Sequence, residues 1–297
     1  MYSQIDANKR RSALLIAVFI VLIAALGYVY SLFTGDTTYG GVYVAVGISL
    51  IMTTISYFAG DKIALFSNNA KPIAKADNPY LYRMVENLCI TAGTPTPRIY
   101  IIEDPAINAF ATGRKPELAS IAVTRGALEK LTNEELEGVL AHELSHVQNY
   151  DIRFMTLVAV LVGTISILSN IFLRSRWFMG GRKNNREGGG QAGSILMIVG
   201  IVLAILSPLI AELIKLAISR RREYLADASG SLLTRYPEGL ARALEKIAAS
   251  NQPLRQAQPA TAHLFLANPF APGTFGSFFS THPPITDRIK KLREISV

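Results

Sequence analysis

Long uncharged stretches alternate with punctuated polar ones along this chain. The first runs from Ser12 to Phe33, directly after Lys9, Arg10 and Arg11, and the second runs from Gly41 to Gly60 after a seven-residue turn. Each can cross about 30 Å of hydrocarbon as a helix, which predicts a hairpin over residues 1–60 with spans at about 12–33 and 41–60. The first is too long for the apolar region of a cleaved signal peptide and reads as a signal anchor. A third run, 154–173, carries no charge, and a fourth, about 195–218, is interrupted by Pro208, Glu212 and Lys215. Loop 174–194 between them, rich in Gly, Asn and Arg, has the composition of a flexible connection. Glu212 and Lys215 stand about one turn apart near the end of the span, where they can pair or snorkel.

Residues 61–153 have the punctuation of a domain outside the bilayer. Arg98–Ile102 and Ala119–Thr124 are β-rich and bounded by Pro95, Pro97, Asp104 and Gly126, as strands are. A helix opens at Thr132 with Glu135 three positions on, a capping box, and runs through Leu136, Val139, Leu140, Leu144 and Val147. Residues 219–297 form a second portion, with helices near Glu223–Leu233 and Gly239–Ala249 and a short amphipathic one over Thr286–Ile295. The fold expected is α+β and mostly helical, with four transmembrane or membrane-inserted helices and an extramembrane domain in two parts.

Composition agrees with a bilayer: half of the 297 residues are hydrophobic and the mean hydropathy is +0.28. The formal charge of +8 is largely a topology signal. Lys9–Arg11 before the first span and Arg220–Arg222 after the fourth fall on one side of the membrane if all four segments cross, which predicts that this side is cytoplasmic. Loop 174–194 is also basic and would then lie outside, unless the third and fourth segments form a hairpin that does not fully cross. Nucleic acid is not needed to explain the charge. Cys89, the single cysteine, rules out an intramolecular disulfide or a cysteine metal site and reads as a small buried residue.

The candidate chemistry lies in His142-Glu143-Leu144-Ser145-His146, in the middle of the capped helix. Residues four apart share a helix face, so His142 and His146 can converge on one zinc ion with Glu143 beside it. Zinc brings the pKa of a bound water towards about 7, and a neighbouring carboxylate can take that proton and return it to a leaving amine. Glu143 is the candidate base. The pattern arises by chance on the order of a few times per thousand such chains, and it uses half of the four histidines. A third protein ligand is required, and Val147–Ile152 supplies neither the glycine nor the histidine of the metzincin pattern. The best candidate is Glu223, with Asp227 one turn on as the group that orients a ligating histidine. Taken alone the two acids would be a solvated helix face. Two membrane crossings between the HELSH helix and Glu223 return the chain to the side it left, at the membrane surface.

The order Asn108-Ala109-Phe110-Ala111-Thr112-Gly113, HELSHVQNYD, two hydrophobic spans, RRREYLADASG and Thr281-His282-Pro283-Pro284 with Arg288 resembles the HtpX family of membrane zinc metalloproteases. The resemblance covers essentially the whole chain, and the prenyl-protein CAAX proteases are similar more distantly. It implies a gluzincin-like catalytic domain facing the cytoplasm of a bacterial or archaeal cell. It also implies one zinc ion on His142, His146 and Glu223, Glu143 as base, and cleavage of damaged or misassembled membrane proteins in quality control. By the same resemblance Asn108 to Gly113, with Ala109, Phe110 and Ala111, is an edge strand that pairs with substrate; from the residues alone a turn is the alternative. His282 could assist an oxyanion and Arg288 could contact substrate, or both could be structural. His263 stands in no motif. Phe265, Phe270, Phe275, Phe278 and Phe279 show neither helix nor strand period and fit a lid over apolar substrate or a piece of core. A catalytically silent scaffold and a CAAX-type processing enzyme are the rival functions; the intact Glu143 speaks against the first. Oligomeric state is not encoded in any pattern found.

Overall fold

The computed structural model of the chain describes residues 2–163, 220–250, 252–271 and 282–295. The expected span over 195–218, loop 174–194, the second half of the span over 154–173, Glu212, Lys215, Phe275, Phe278 and Phe279 lie outside them.

The first two apolar runs form helices α1 (Tyr2–Thr34) and α2 (Gly40–Ser67), which pack side by side. Asp36 closes the turn between them by accepting from the Thr38 amide at 2.9 Å and the Thr38 hydroxyl at 2.6 Å. Both helices outrun their apolar stretches: α1 starts ten residues before Ser12 and α2 continues seven past Gly60. α2 is inside-out relative to a water-soluble helix. Ser49, Thr53, Ser56, Gly60 and Ala64 are buried along one stripe, whereas Tyr43, Val44, Ile48, Ile51, Ile55 and Phe58 are exposed. Small residues let backbones approach and large apolar ones face outward, the arrangement that lipid favours. Among the described residues α2 is the helix long and apolar enough to cross a membrane.

After α2 the chain builds a four-stranded sheet of order β1-β2-β4-β3, from β1 (Ala70–Pro72), β2 (Arg98–Ile102), β3 (Ala109–Thr112) and β4 (Ser120–Thr124). β2 and β4 run parallel, with Ile99 opposite Ile121, and the outer pairs are antiparallel. Two predicted strands are therefore present, joined by the short β1 and by β3 at the edge. The sheet is followed by α4 (Arg125–Lys130) and α5 (Asn133–Gln148). α3 (Pro79–Ala92) connects β1 to β2, with Asn78 capping its start by accepting from the Leu81 amide at 3.0 Å.

α5 packs against both β3 and the C-terminal helices. Its capping box is present, Glu135 accepting from the Thr132 amide at 2.8 Å. Its apolar residues Val139, Leu140, Leu144 and Val147 are buried between the sheet and the C-terminal helices; each leucine there stabilises the fold by about 2 kcal/mol. A turn at Asn149 and Tyr150 leads into α6 (151–163), which packs on α1 through Leu15, Phe19, Phe154, Leu157 and Leu161. The C-terminal portion supplies α7 (Arg220–Thr234), α8 (Pro237–Ser250) and α9 (Ile285–Arg293). α7 and α8 approach α5 at glycines. A Cβ on Gly230 would stand 2.9 Å from the His142 nitrogen, and one on Gly138 would stand 2.6 Å from the Leu240 nitrogen.

Candidate metal centre

The close contact at Gly230 brings α7 across α5 at the HELSH turn and sets Glu223 opposite the two histidines. One donor atom from each of His142, His146 and Glu223 lies within 4.8 Å of the others. Nε2 of His142 and Nε2 of His146 are 3.2 Å apart, and the Glu223 carboxylate oxygens stand 3.7 and 3.6 Å from them. His142, Glu143, His146, Glu223, Asp227 and Arg288 are all under 5% exposed.

Both histidines are held from behind. Nδ1 of His142 is 2.9 Å from Asp227, and Nδ1 of His146 is 3.1 Å from Asp151. With Nδ1–H donated to a carboxylate, each ring when neutral presents an Nε2 lone pair to the other and to Glu223. Three buried electron-rich atoms converge, and a cation between them relieves the repulsion. The electrostatics of His146 point the same way. Burial acts against its charged form, but the hydrogen bond to Asp151 and the Glu223 carboxylate push its pKa up to about 9, so positive charge is favoured at this spot. Two imidazoles and a carboxylate also match the donor set of a catalytic zinc site.

Arg288 on α9 completes the far side. Its guanidinium donates to both oxygens of Asp227 at 2.6 and 2.9 Å and to the Leu266 carbonyl at 2.9 Å. Burial would raise the Asp227 carboxyl; the Arg288 charge and the contact with His142 outweigh it and hold the acid well below the usual carboxylate range. Burial would likewise raise Glu223, yet the neighbouring His282, His146 and Arg288 lower it. Glu143 differs from both. Burial pushes it up to about 7, and its Oε1 is enclosed without a hydrogen-bond partner, a reactive carboxyl beside the cluster.

The other predicted residues take definite places. His282 is half-buried near Glu223, and burial brings its pKa down to about 4. Arg288 turns its fork onto Asp227 rather than offering it to an incoming chain. Ala109–Thr112 form the edge strand β3, so the turn alternative does not hold for them, with Asn108 and Gly113 just outside the strand, and the outer edge of β3 is partly covered. Leu266 donates its amide to the Ala109 carbonyl at 2.9 Å, Phe265 bridges Phe110, and Asn108 donates to the Ala267 carbonyl at 2.9 Å. Phe265 packs edge-on against Phe110 at 5.0 Å and is core. The Ala111 amide, further along the same edge, faces the Glu143 carboxyl. His263 is fully buried, its Nε2–H donating to the Met155 carbonyl at 2.9 Å.

Sequence reasoning missed Asp151 as a partner of His146. It lies five positions on, outside the i, i+4 spacing, and reaches back because Tyr150 adopts a left-handed φ of 58°. Asn8, whose side-chain amide donates to Asp151 at 2.6 Å, was missed as well, and no local signal marks it.

Convergent buried donors beside a carboxyl with one enclosed, unpartnered oxygen, on a helix bearing HExxH, are the equipment of metal-assisted hydrolysis, and the class they define is the metallopeptidases. The model of Peptidase family M48 matches residues 75–296. "Protease HtpX homolog" of Caldanaerobacter subterraneus subsp. tengcongensis is 42% identical over 297 residues, covering 100% of this chain and 98% of the relative. The protein of the same name from Lactobacillus acidophilus is 45% identical over 302 residues, covering 99% and 100%. The chain belongs to peptidase family M48 and, within it, to the HtpX proteases. Among solved structures, the crystal structure of S. mikatae Ste24p is similar with a TM-score of 0.51 and 20% identity, over 98% of this chain and 67% of that one; it supports the fold alone.

Proposed function

We propose that the protein is a membrane-embedded, zinc-dependent endopeptidase of the bacterial or archaeal plasma membrane that cleaves unfolded or damaged membrane proteins from the cytoplasmic side. The observation that carries this reading is the convergence of His142, His146 and Glu223 within 4.8 Å next to the enclosed Oε1 of Glu143. His142, His146 and Glu223 hold one zinc ion; Asp227 and Asp151 fix the imidazole rings. Zinc supplies Lewis-acid polarisation and a water that ionises near neutral pH. Glu143 takes the proton of the attacking water and delivers it to the departing amine. The pKa of about 7 given to Glu143 by burial suits a group that must both accept and return a proton at neutral pH.

Substrate pairs with β3 beyond the stretch covered by Phe265 and Leu266, where the Ala111 edge faces Glu143. Main-chain pairing of this kind reads backbone rather than side chains and accepts many sequences. The lipid bilayer is the second partner, through the exposed apolar face of α2. Segments 61–153 and 219–297 make up one catalytic unit on one side of the membrane.

The test uses full-length protein purified in mild detergent. Metal analysis should find about one zinc per chain, and an unfolded protein substrate should be cleaved. Glu143→Gln should keep the zinc and lose cleavage. Cleavage that survives in that variant, or a wild type without zinc, overturns the reading. A prenylated peptide offered in parallel separates CAAX-type processing from general proteolysis.

A further inference from the structure

A second built site lies away from the metal cluster, where α2, α6 and the chain after β3 meet. A cavity of about 260 Å³ opens there, its lining including Ser56, Tyr57, Asp61, Arg98, Arg114 and Arg153. That is the space of roughly eight water molecules, enough for a phosphodiester and the glycerol beside it. We propose that this cavity binds the headgroup of an anionic phospholipid, with the guanidiniums of Arg114 and Arg153 on the phosphodiester.

The charges at the cavity are unbalanced. Asp61 is spent on Arg98 at 2.8 Å. Among the described residues neither Arg114 nor Arg153 meets a carboxylate within 4.0 Å; Arg153 instead donates through Nε to the Arg114 carbonyl at 2.9 Å. Both guanidiniums are held over aromatic rings. Arg114 stands 4.6 Å from the Phe58 centroid and 5.6 Å from Tyr57, and Arg153 stands 5.7 Å from Tyr57 and 5.5 Å from Tyr150. Stacking on a ring face fixes a guanidinium without neutralising it and leaves its N–H edge free for a phosphate. The Ser56 hydroxyl is buried on the wall of the same cavity with no hydrogen-bond partner, an added donor for a phosphate oxygen.

Position selects the source of the phosphate. The cavity lies against the last third of α2, just where its uncharged run ends at Asp61 and Lys62, and against the first turns of α6. Phe58, beside Arg114, is largely exposed on the apolar face of α2. Lys9 of α1 sits over Tyr150 at 5.0 Å, so basic groups on three helices form one band at this level. A basic pocket between helices at the cytoplasmic surface suits a lipid headgroup, whose acyl chains then run along the exposed side of α2. The inference rests on the placement of α2 in a bilayer and is independent of the chemistry at His142.

The experiment takes the full chain in detergent, strips it of lipid, and offers equal amounts of phosphatidylglycerol and phosphatidylcholine; lipid retained through gel filtration is identified by mass spectrometry. The wild type should retain phosphatidylglycerol preferentially. Arg114→Gln/Arg153→Gln should weaken retention by roughly 25-fold, about fivefold for each cation removed, whereas Arg114→Lys/Arg153→Lys should keep most of it. Millimolar inorganic phosphate should fail to displace the lipid. No preference in the wild type, or an undiminished preference in the Gln pair, overturns the site, and the wild-type arm decides the matter even if the variants do not fold. Displacement by inorganic phosphate overturns the lipid as the source. Liposome flotation separates the two levels: protein that floats but shows no preference refutes this site alone, whereas protein that fails to float refutes the membrane placement as well.

Discussion

The side-chain amide of Asn8, on the first helix, donates to Oδ1 of Asp151 at 2.6 Å, and the other oxygen of Asp151 stands 3.1 Å from Nδ1 of His146. Asn8 also donates to the Asn149 carbonyl at 2.9 Å. The first helix thus reaches the candidate metal cluster through one carboxylate.

Asp151→Ala should therefore lower zinc affinity by about 10- to 100-fold, the usual cost of losing a group that orients a ligating histidine. Asn8→Ala should lower it by less, a few-fold, because Asp151 keeps His146 but loses its own anchor. Competition against a chromogenic chelator measures both. Equal affinity in the Asp151 variant would show that His146 is held without it.

Arg288 carries the buried charge that balances Asp227. Arg288→Met leaves that carboxylate enclosed with the His142 ring as its remaining partner and should destabilise the protein by about 3–5 kcal/mol. Arg288→Lys should recover only part, since a lysine cannot reproduce the fork that meets both Asp227 oxygens. Thermal unfolding in detergent, followed together with zinc content, reads the two effects separately.

The crossing of α5 and α7 depends on Gly230. Gly230→Ala puts a methyl 2.9 Å from the His142 nitrogen and should cost about 1–3 kcal/mol through overpacking. As α7 moves away it carries Glu223 from the histidines, so zinc should also dissociate faster. Gly47→Ala on α2, whose added methyl meets nothing within 4 Å, should leave zinc retention unchanged.

His263 makes stability depend on pH. Burial brings its pKa down to about 4, below the ordinary value near 6.5, so the folded state keeps the ring neutral while the unfolded chain binds a proton. The resulting stability is complete above pH 6.5 and is lost as pH falls through 4. The cost on going from pH 7 to pH 4 is about 3 kcal/mol. His263→Gln, able to donate to the Met155 carbonyl, should show a shallower decline over that window in unfolding measured at several pH values. Parallel declines in the two proteins would remove His263 as the cause.

Local order was legible because it depends on neighbours in the chain. The capping box at Thr132 and Glu135, the one-turn spacing of His142 with His146 and of Glu223 with Asp227, and the strands around Ile99 and Ile121 are all statements about residues a few positions apart. Periodicity and residue type are sufficient for such statements. The sequence by itself thus determined the helices, the apolar runs and the kind of chemistry the donors could perform.

Which residues meet was decided by packing. Gly230 lets α7 close on His142, Tyr150 turns Asp151 back onto His146, and Arg288 arrives from α9 to hold Asp227. Asn8 joins the cluster across 143 positions of chain, and Phe265 covers part of an edge that the pattern at Ala109–Ala111 presents as open. None of these pairs shares a period or a motif. Each depends on backbone separations of a few ångströms between elements remote in sequence, and those separations follow from how side chains of particular volume fill one another's gaps.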